Sequence, residues 1–350
     1  MRLGVRFFVV LYFLSNFVFN EVGYQAMNIS VADINSANQR IKAVANGVRD
    51  TPLDESSALS ERTGTTFYLK CEHLQRTGCF KLRGALNRVL LLSDEDREKG
   101  IVASSSGNHG IATAYAANTD GVDVTIYLPE SVSPLKLANM KRLGANTVVW
   151  PGVYAECEKA AHEEVARLGK TFFSPYSHPD VIAGQGTIGL ELDLQCPDLA
   201  AVYASVGGGA FIGGIGSYLK AKRPDVDIIG CWAENASALH QCLERGEIFD
   251  APESDTLADG TAGGVEEGAI TFPICQRVID RHVLVSEAEI ANAMHDIAAN
   301  ERFIIEGSAG VAVAAALKTA SDYRGKKIAV VICGRNIDLN TFRTVIQGAE

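Results

Sequence analysis

Short apolar runs that alternate with amphipathic stretches constrain the fold of this 350-residue chain more than any other feature. This alternation is typical of strands that alternate with helices around a mostly parallel sheet. We predict strands at residues 66–69, 100–103, 122–128, 147–150, 201–205, 227–231 and 327–332. Helical patterns lie between them, among others at 134–143, 154–168 and 287–300. The predicted fold class is therefore α/β.

The charge balance favours a small-molecule substrate. The net charge is −10 and the pI is near 5.3, whereas a protein that binds nucleic acid needs a basic face. We therefore expect no nucleic-acid partner. The eight cysteines include no C-x-x-C pair, which argues against a zinc site and against a dense disulfide framework. The run 162–164 (H-E-E) lacks the second histidine of a metalloprotease helix, so no metal is expected there either.

The N-terminus is the compositional anomaly of the chain. Arg2 and Arg6 precede a nearly continuous apolar run at residues 7–19, which resembles a secretory signal. The run is too short for an ordinary membrane-spanning helix, so we expect no stable membrane span. The alternative, which we favour, is that translation begins at Met27 and that residues 1–26 are an extension outside the mature protein. A cytoplasmic location is then expected, with a secretory start as the open alternative.

Lys81 is the first candidate catalytic residue. It follows Phe80 and precedes Leu82, and Gly84 lies one turn further on. A lysine that forms a Schiff base has to be partly desolvated and held against its partner, and these neighbours supply apolar cover and close backbone packing. Taken alone, the segment fits a solvated surface lysine better, since most lysines are exposed.

A polar glycine turn follows the strand predicted at 100–103. It contains Ser105, Ser106, Gly107 and Asn108, and a helical run begins directly after it. A strand, a turn and a helix start together present unpaired backbone N–H groups and the positive end of a helix dipole, which suit a carboxylate. The alternative is a turn of serine and asparagine that only caps the helix.

A second glycine loop follows the strand predicted at 201–205 and also leads into a helix. Its residues are Gly207, Gly208, Gly209, Ala210 and Phe211. Glycines let backbone amides approach a phosphate closely. The spacing does not match the dinucleotide fingerprint, and no G-K-[ST] follows, which excludes a nucleoside triphosphate loop. A tight structural turn is the alternative. A further strand ends at Cys333, which by itself could be a plain buried cysteine.

In combination, these segments resemble the fold-type II pyridoxal-phosphate enzymes, in particular the serine/threonine dehydratase and serine racemase family. The resemblance runs from about residue 31 to 345 and includes V-I-A-G-Q-G-T-I-G at 181–189. It implies two domains, each with a mostly parallel sheet flanked by helices. The large cofactor-binding domain would comprise residues 27–100 and 180–350, and the small substrate-binding domain residues 101–179.

The resemblance also implies pyridoxal 5'-phosphate as the cofactor and a role for each candidate residue. Lys81 would form the Schiff base, with Phe80 beside the ring. Asn108 would contact the phenolic oxygen of the cofactor and adjoin the substrate, and Cys333 would face the pyridine nitrogen. The phosphate cup would be Gly207, Gly208, Gly209, Ala210 and Phe211, and the substrate carboxylate would be held by Ser105, Ser106 and Gly107. Glu306 lies where relatives place an acidic residue near the active site.

The first expectation for activity is a dehydratase, an ammonia-lyase, acting on L-threonine or L-serine. Lys81 would remove the α-proton, the β-hydroxyl would leave, and the released enamine would hydrolyse to a 2-oxo acid and ammonia. A thiol beside the pyridine nitrogen, in place of a carboxylate, would leave that nitrogen largely unprotonated and favour prompt loss of the β-hydroxyl.

Three alternatives stay open. The run T-A-G-G-V at 261–265 resembles dehydratases of hydroxyectoine utilisation, and a threo-3-hydroxyaspartate dehydratase belongs with this second choice. At Ser106 the chain resembles the serine racemases and the hydroxyaspartate dehydratases, which also have serine there, and a hydroxyl on the face opposite the lysine can exchange a proton. A non-catalytic binding protein is the last alternative. We expect a homo-oligomer. We expect no magnesium site at 232–238, because Trp232 and Ala238 replace the acidic ligands of metal-activated relatives.

Overall fold

Two β-sheets organise the part of the chain that the structure, a computed structural model, describes, residues 28–348. The predicted extension at residues 1–26 lies outside the described residues. The strands are β1 (Leu53–Glu55), β2 (Thr66–Lys70), β3 (Ile101–Ser104), β4 (Val124–Pro129), β5 (Asn146–Trp150), β6 (Thr171–Phe172), β7 (Leu199–Ser205), β8 (Asp227–Ala233), β9 (Arg281–Val285) and β10 (Lys327–Val331). The six-stranded sheet has the order β1-β2-β10-β7-β8-β9, and the four-stranded sheet the order β5-β4-β3-β6.

Helices fill most of the connections between strands. They are α1 (Val31–Ala43), α2 (Ser57–Thr63), α3 (Leu82–Val89), α4 (Asp94–Lys99), α5 (Asn108–Asp120), α6 (Pro134–Arg142), α7 (Tyr154–Leu168), α8 (Pro179–Gln195), α9 (Ala210–Lys222), α10 (Ala238–Arg245), α11 (Thr271–Val278), α12 (Glu287–Glu301), α13 (Gly307–Thr319) and α14 (Leu339–Gln347). Every strand pair is parallel except β1–β2. The predicted α/β class is confirmed. Within residues 28–348, no helix combines the length and apolar character needed to cross a membrane.

All seven predicted strands are present, with ends within two residues of those predicted. The sequence analysis missed β1, β6 and β9. Each of these has a partner on one side only, at the edge of its sheet. Edge strands are short or carry polar residues on their exposed side, as L-D-E in β1 and R-H-V-L-V in β9 do. Their apolar signal is therefore weaker than that of the central strands.

Each sheet has its own apolar core. The larger core surrounds the six-stranded sheet. The second core lies against the four-stranded sheet, and helix α3 contributes Leu82, Leu86 and Val89 to it. Because α3 precedes residue 100, the segment before β3 supplies residues to both cores. The domain bounds expected from the sequence stay a prediction.

A buried ionic network lies at the start of α3. The Arg83 guanidinium makes two hydrogen bonds to the Glu72 carboxylate (2.7 and 2.8 Å) and two to that of Glu191 (2.8 and 2.9 Å). Lys70 Nζ donates to the same Glu191 carboxylate at 2.6 Å. All four side chains are almost completely buried. The network ties α3 to β2 and α8 through charge-assisted bonds in a region without competing water.

Candidate active site

The segments that follow β3, β7 and β10 line one cavity of about 800 Å³. Ligands of parallel α/β sheets bind at the carboxyl ends of the strands, which is where these segments begin. Of the predicted site residues, the cavity wall contains Lys81, Ser105, Ser106, Gly107, Asn108, Gly207 and Gly208. Residues far apart in the sequence therefore share one cavity.

The other five predicted residues lie next to the cavity wall. Gly209 and Ala210 follow Gly208 directly at the start of α9. The ring of Phe80 stacks on that of Phe211, with 3.9 Å between the ring centroids. The backbone N–H of Phe80 donates to the carbonyl oxygen of Cys333 at 3.0 Å. The lysine segment, the glycine loop and the end of β10 are thus in direct contact.

Lys81 immediately precedes α3, and its carbonyl oxygen accepts a hydrogen bond from Ala85 at the start of this helix. Its Nζ donates to the carbonyl oxygen of Pro175 at 3.2 Å. Burial lowers the pKa of Lys81, and this outweighs the opposing effect of Cys79, Cys333 and Glu306 nearby. A lowered pKa increases the fraction of neutral amine, which is the nucleophilic form.

The glycine loop before α9 is tightly enclosed. A Cβ atom at Gly208 would lie 2.4 Å from the ring of Tyr176, and one at Gly207 would lie 3.0 Å from the backbone of Thr261. Gly209 has a φ of +90°, in the left-handed region that favours glycine. The first N–H groups of α9 have no acceptor within the helix. The loop can therefore hold an anion against backbone amides at the positive end of the helix.

Asn108, Glu306 and Asn336 form a polar network on one side of the cavity. The Asn108 amide donates to both carboxylate oxygens of Glu306, at 2.8 and 3.0 Å. The backbone N–H of Asn336 donates to Glu306 at 3.1 Å, and its side chain donates to Asn108 Oδ1 at 2.6 Å. The Cys333 thiol lies 3.8 Å from Glu306 Oε1, and burial raises the pKa of Cys333 well above its usual range. The thiol therefore stays protonated.

Glu306 is 4% exposed, and burial raises its pKa to about 7, against the opposing effect of the Asn108 hydrogen bonds. An ordinary glutamate has a pKa near 4.5. Between these two values the folded chain binds a proton at Glu306 that the unfolded chain has released. The contribution of Glu306 to the free energy of unfolding therefore falls as the pH rises through this window.

Glu306→Gln replaces the carboxyl group by a neutral amide and should remove this pH dependence. We expect the wild-type protein to lose about 2.5 kcal/mol of stability, relative to the variant, between pH 5 and pH 8. The measurement is urea unfolding of the cofactor-free protein at four pH values. Glu267→Gln, at an exposed position, should keep the wild-type profile. Parallel profiles for wild type and Glu306→Gln would contradict the prediction.

Several cavity residues escaped the sequence analysis. They are Lys136, Tyr154, Glu158, His162, Tyr176 and Asp259. They come from α6, α7 and irregular segments, and no motif with fixed spacing connects them. The run at 261–265, noted for its resemblance alone, also lines the cavity, and the Tyr176 hydroxyl accepts a hydrogen bond from the backbone N–H of Glu266 at 2.9 Å. Arg335 is exposed and lines a separate cavity of about 340 Å³.

The arrangement fits a phosphorylated aldehyde that binds covalently to lysine. A desolvated amine, a helix start able to hold a phosphate and the Asn108 amide all border the same space. The volume accommodates such a compound together with an amino acid, since binding pockets for small molecules occupy about 300–1,000 Å³.

Comparisons with known proteins agree with this geometry. Residues 44–334 match the family described as "Pyridoxal-phosphate dependent enzyme". An L-threonine ammonia-lyase of Thermotoga maritima is 40% identical, covering 91% of this chain and 78% of the relative. A putative threonine dehydratase of Sinorhizobium fredii is 39% identical over 92% of this chain and 96% of its own. An L-threo-3-hydroxyaspartate ammonia-lyase of Saccharomyces cerevisiae is 35% identical, and the match covers 91% of this chain and 96% of the relative.

Solved structures show the same fold. The processed form of threonine deaminase isoform 2 from Solanum lycopersicum has a TM-score of 0.85 and 32% identity, covering 91% of this chain and 94% of its own. Maize serine racemase has a TM-score of 0.84 and 29% identity, covering 91% and 97%. The fold-type II architecture expected from the sequence is thereby confirmed. The chain belongs to the pyridoxal-phosphate dependent enzymes, within their serine/threonine dehydratase family, and its cofactor is pyridoxal 5'-phosphate.

Proposed function

We propose that this protein is an ammonia-lyase that eliminates the β-hydroxyl group of L-threonine or L-serine and yields a 2-oxo acid and ammonia. Relatives named as threonine ammonia-lyases or dehydratases match most of the chain at 35–40% identity. The cavity supports the proposal with a desolvated lysine beside a helix start that suits a carboxylate.

Lys81 is assigned both the covalent attachment of the cofactor and removal of the α-proton. When bound, pyridoxal phosphate supplies an electron sink that makes this proton acidic. The Lys81 amine is suited to both tasks because desolvation favours its neutral form. Ser105, Ser106 and Gly107, at the turn before α5, are assigned the substrate carboxylate.

The remaining roles concern how the cofactor is held. The loop from Gly207 to Phe211 is assigned the phosphate, because its helix start offers unbonded N–H groups. We assign to the Asn108 amide, which Asn336 and Glu306 hold in place, the contact with the phenolic oxygen of the cofactor. We assign to the Cys333 thiol the position facing the pyridine nitrogen of the cofactor. The raised pKa of Cys333 keeps this thiol neutral. Glu306 lies beside this thiol, so its protonation state would set the charge near the position assigned to the pyridine nitrogen.

The charges of the cavity favour substrates with an uncharged side chain. Glu158, Asp259, Glu266 and Glu306 contribute four carboxyl groups to its wall, against the amino groups of Lys136 and of Lys81, whose burial favours the neutral amine. Asp259 lies 3.6 Å from Lys136 Nζ and offsets part of its charge. A second carboxylate on the substrate would therefore meet like charge. This excess of carboxyl groups is the observation that supports threonine and serine over threo-3-hydroxyaspartate as substrates.

The test is a substrate panel on cofactor-loaded protein. We expect kcat/KM for L-threonine or L-serine to exceed that for L-threo-3-hydroxyaspartate by at least about tenfold. Glu158→Gln should narrow this ratio, whereas Glu163→Gln, an exposed neighbour on α7 outside the cavity wall, should not. Faster turnover of hydroxyaspartate, or turnover confined to a hydroxyectoine-derived compound, would contradict the proposal.

Serine racemase activity is the second candidate, because the Ser106 side chain and Lys81 line the same cavity. Two acid–base groups that reach opposite faces of one carbon can invert its configuration. Quantifying D-serine beside ammonia in the same panel separates the two activities. D-serine formed without ammonia would favour the racemase.

The remaining expectations belong to the same proposal. They are a homo-oligomeric assembly, a cytoplasmic location, and a division into a large domain (27–100 and 180–350) and a small one (101–179). Each sheet lies in one of these divisions, which supports the last of them. Light scattering on purified protein tests the assembly.

A further inference from the structure

Three potential metal ligands lie together at the edge of the six-stranded sheet. His240 and Glu244 are four residues apart on α10 and therefore share one face of the helix. His282 lies on β9, the edge strand. Their ligand atoms all lie within 4.8 Å of one another. None of the three is part of the wall of the 800 Å³ cavity, so the proposed lyase activity leaves this cluster without a role.

The spacing of the ligand atoms suits one small cation. The Nδ1 atoms of His240 and His282 are 3.1 Å apart, and His282 Nδ1 is 3.3 Å from Glu244 Oε1. A tetrahedral zinc ion with bonds of about 2.0–2.1 Å separates its ligand atoms by roughly 3.3–3.4 Å. The alternative is that a hydrogen bond between the imidazoles and a surface ion pair bring the three groups together without a metal.

A buried indole supports both imidazoles. The Trp232 ring lies 5.3 Å from that of His240 and 5.1 Å from that of His282, between ring centroids. Gly230 pairs with His282 across β8 and β9. A Cβ atom at position 230 would lie 2.4 Å from the indole, so this glycine leaves room for Trp232. Both imidazoles thus lie against a buried indole, which limits the reorganisation that metal binding would require.

His240 and His282 are both partly buried. Neutral imidazole carries the lone pair that coordinates a metal. Glu244 is 66% exposed and can adjust its position.

We propose that His240, Glu244 and His282 form a binding site for Zn²⁺ or a chemically similar divalent transition ion. Two imidazoles and one carboxylate match the ligand preference of zinc, whereas Mg²⁺ and Ca²⁺ prefer oxygen ligands throughout. Three protein ligands leave the fourth position to water. The ion would fasten α10 to the edge strand β9. The site lies beyond the segment 232–238, for which the sequence predicts no magnesium.

The test is a titration of the metal-depleted, cofactor-loaded protein with Co²⁺, followed by its visible absorption and by tryptophan fluorescence. We expect one equivalent to bind per chain, with the absorption of tetrahedral cobalt and quenching of Trp232. Zn²⁺ should displace it. His282→Ala should weaken binding by more than about tenfold, since even the loss of a residue that only supports a metal ligand costs 10- to 100-fold.

Two further variants make the result unambiguous. Glu244→Gln alters an exposed side chain and should weaken binding without disturbing the fold. His295→Ala, at an exposed histidine on α12, should bind Co²⁺ as the wild type does. Lyase activity should be unchanged in all three variants, because none of these residues lines the cavity. No saturable binding near one equivalent, or equal affinity in His282→Ala and His295→Ala, would overturn the proposal.

Discussion

Lys81→Ala is expected to lower kcat/KM for the preferred β-hydroxy amino acid by at least about 10³-fold. General acid–base catalysis alone contributes about 10²–10⁴-fold, and this variant also loses the covalent bond to the cofactor. The physical basis is the position of the Lys81 amine, which lines the cavity beside Asn108 and has a pKa lowered by burial. The measurement is the rate of 2-oxo acid formation from threonine and serine.

A second measurement separates loss of chemistry from loss of folding. Borohydride should fix the cofactor to the wild-type protein at Lys81, as identified by mass spectrometry of the peptide, and should fix none to Lys81→Ala. Lys141→Ala, at an exposed lysine on α6, should retain activity and labelling. Labelling at a different lysine, or substantial turnover by Lys81→Ala, would contradict the assigned role.

Arg83→Met is expected to lower the free energy of unfolding by about 3–5 kcal/mol. Arg83 makes paired hydrogen bonds to both Glu72 and Glu191, and its removal leaves two buried carboxylates with Lys70 as the remaining buried cation of the network. A buried charge without its partner keeps the cost of desolvation and loses the compensating attraction. Since single domains are stable by about 5–15 kcal/mol, this loss is large. Denaturant unfolding of the wild type and the variant measures it.

Arg167→Met is the matched control. Arg167 makes the same kind of paired hydrogen bonds to Glu164, at 2.9 Å each, but it is 66% exposed. Its loss should cost no more than about 1 kcal/mol, because water screens an exposed pair. Equal losses in the two variants would show that burial does not govern the strength of the network.

The network also explains how the fold positions the reactive lysine. Arg83 lies two residues after Lys81, and its four hydrogen bonds, to Glu72 and to Glu191 of α8, fix the first turn of α3. Removing these hydrogen bonds should displace Lys81, although Arg83 itself does not line the cavity. We therefore expect any folded Arg83→Met protein to turn over its substrate more slowly than Arg167→Met.

The sequence by itself determined the α/β class, the central strands and the three segments that supply the predicted site. Central strands such as β7 and β10 are buried on both faces, and so they are continuous apolar runs. The glycine loops before α5 and α9 were recognisable because the strand, the loop and the helix are consecutive in the chain. Local patterns of this kind are set by backbone conformation and by burial, which leave a signal in neighbouring residues.

Only the tertiary structure decided which distant side chains meet. Glu306 acquires its raised pKa because Asn108 and the segment after β10 enclose it, and the desolvation that results cannot be read from the sequence. Tyr176 and Glu158 reach the cavity from segments without a motif. His240 and His282 approach each other because β9 pairs with β8 and because His240, on α10, lies against Trp232 of β8. Electrostatic and coordination properties depend on distances through space, and the chain acquires those distances when it folds.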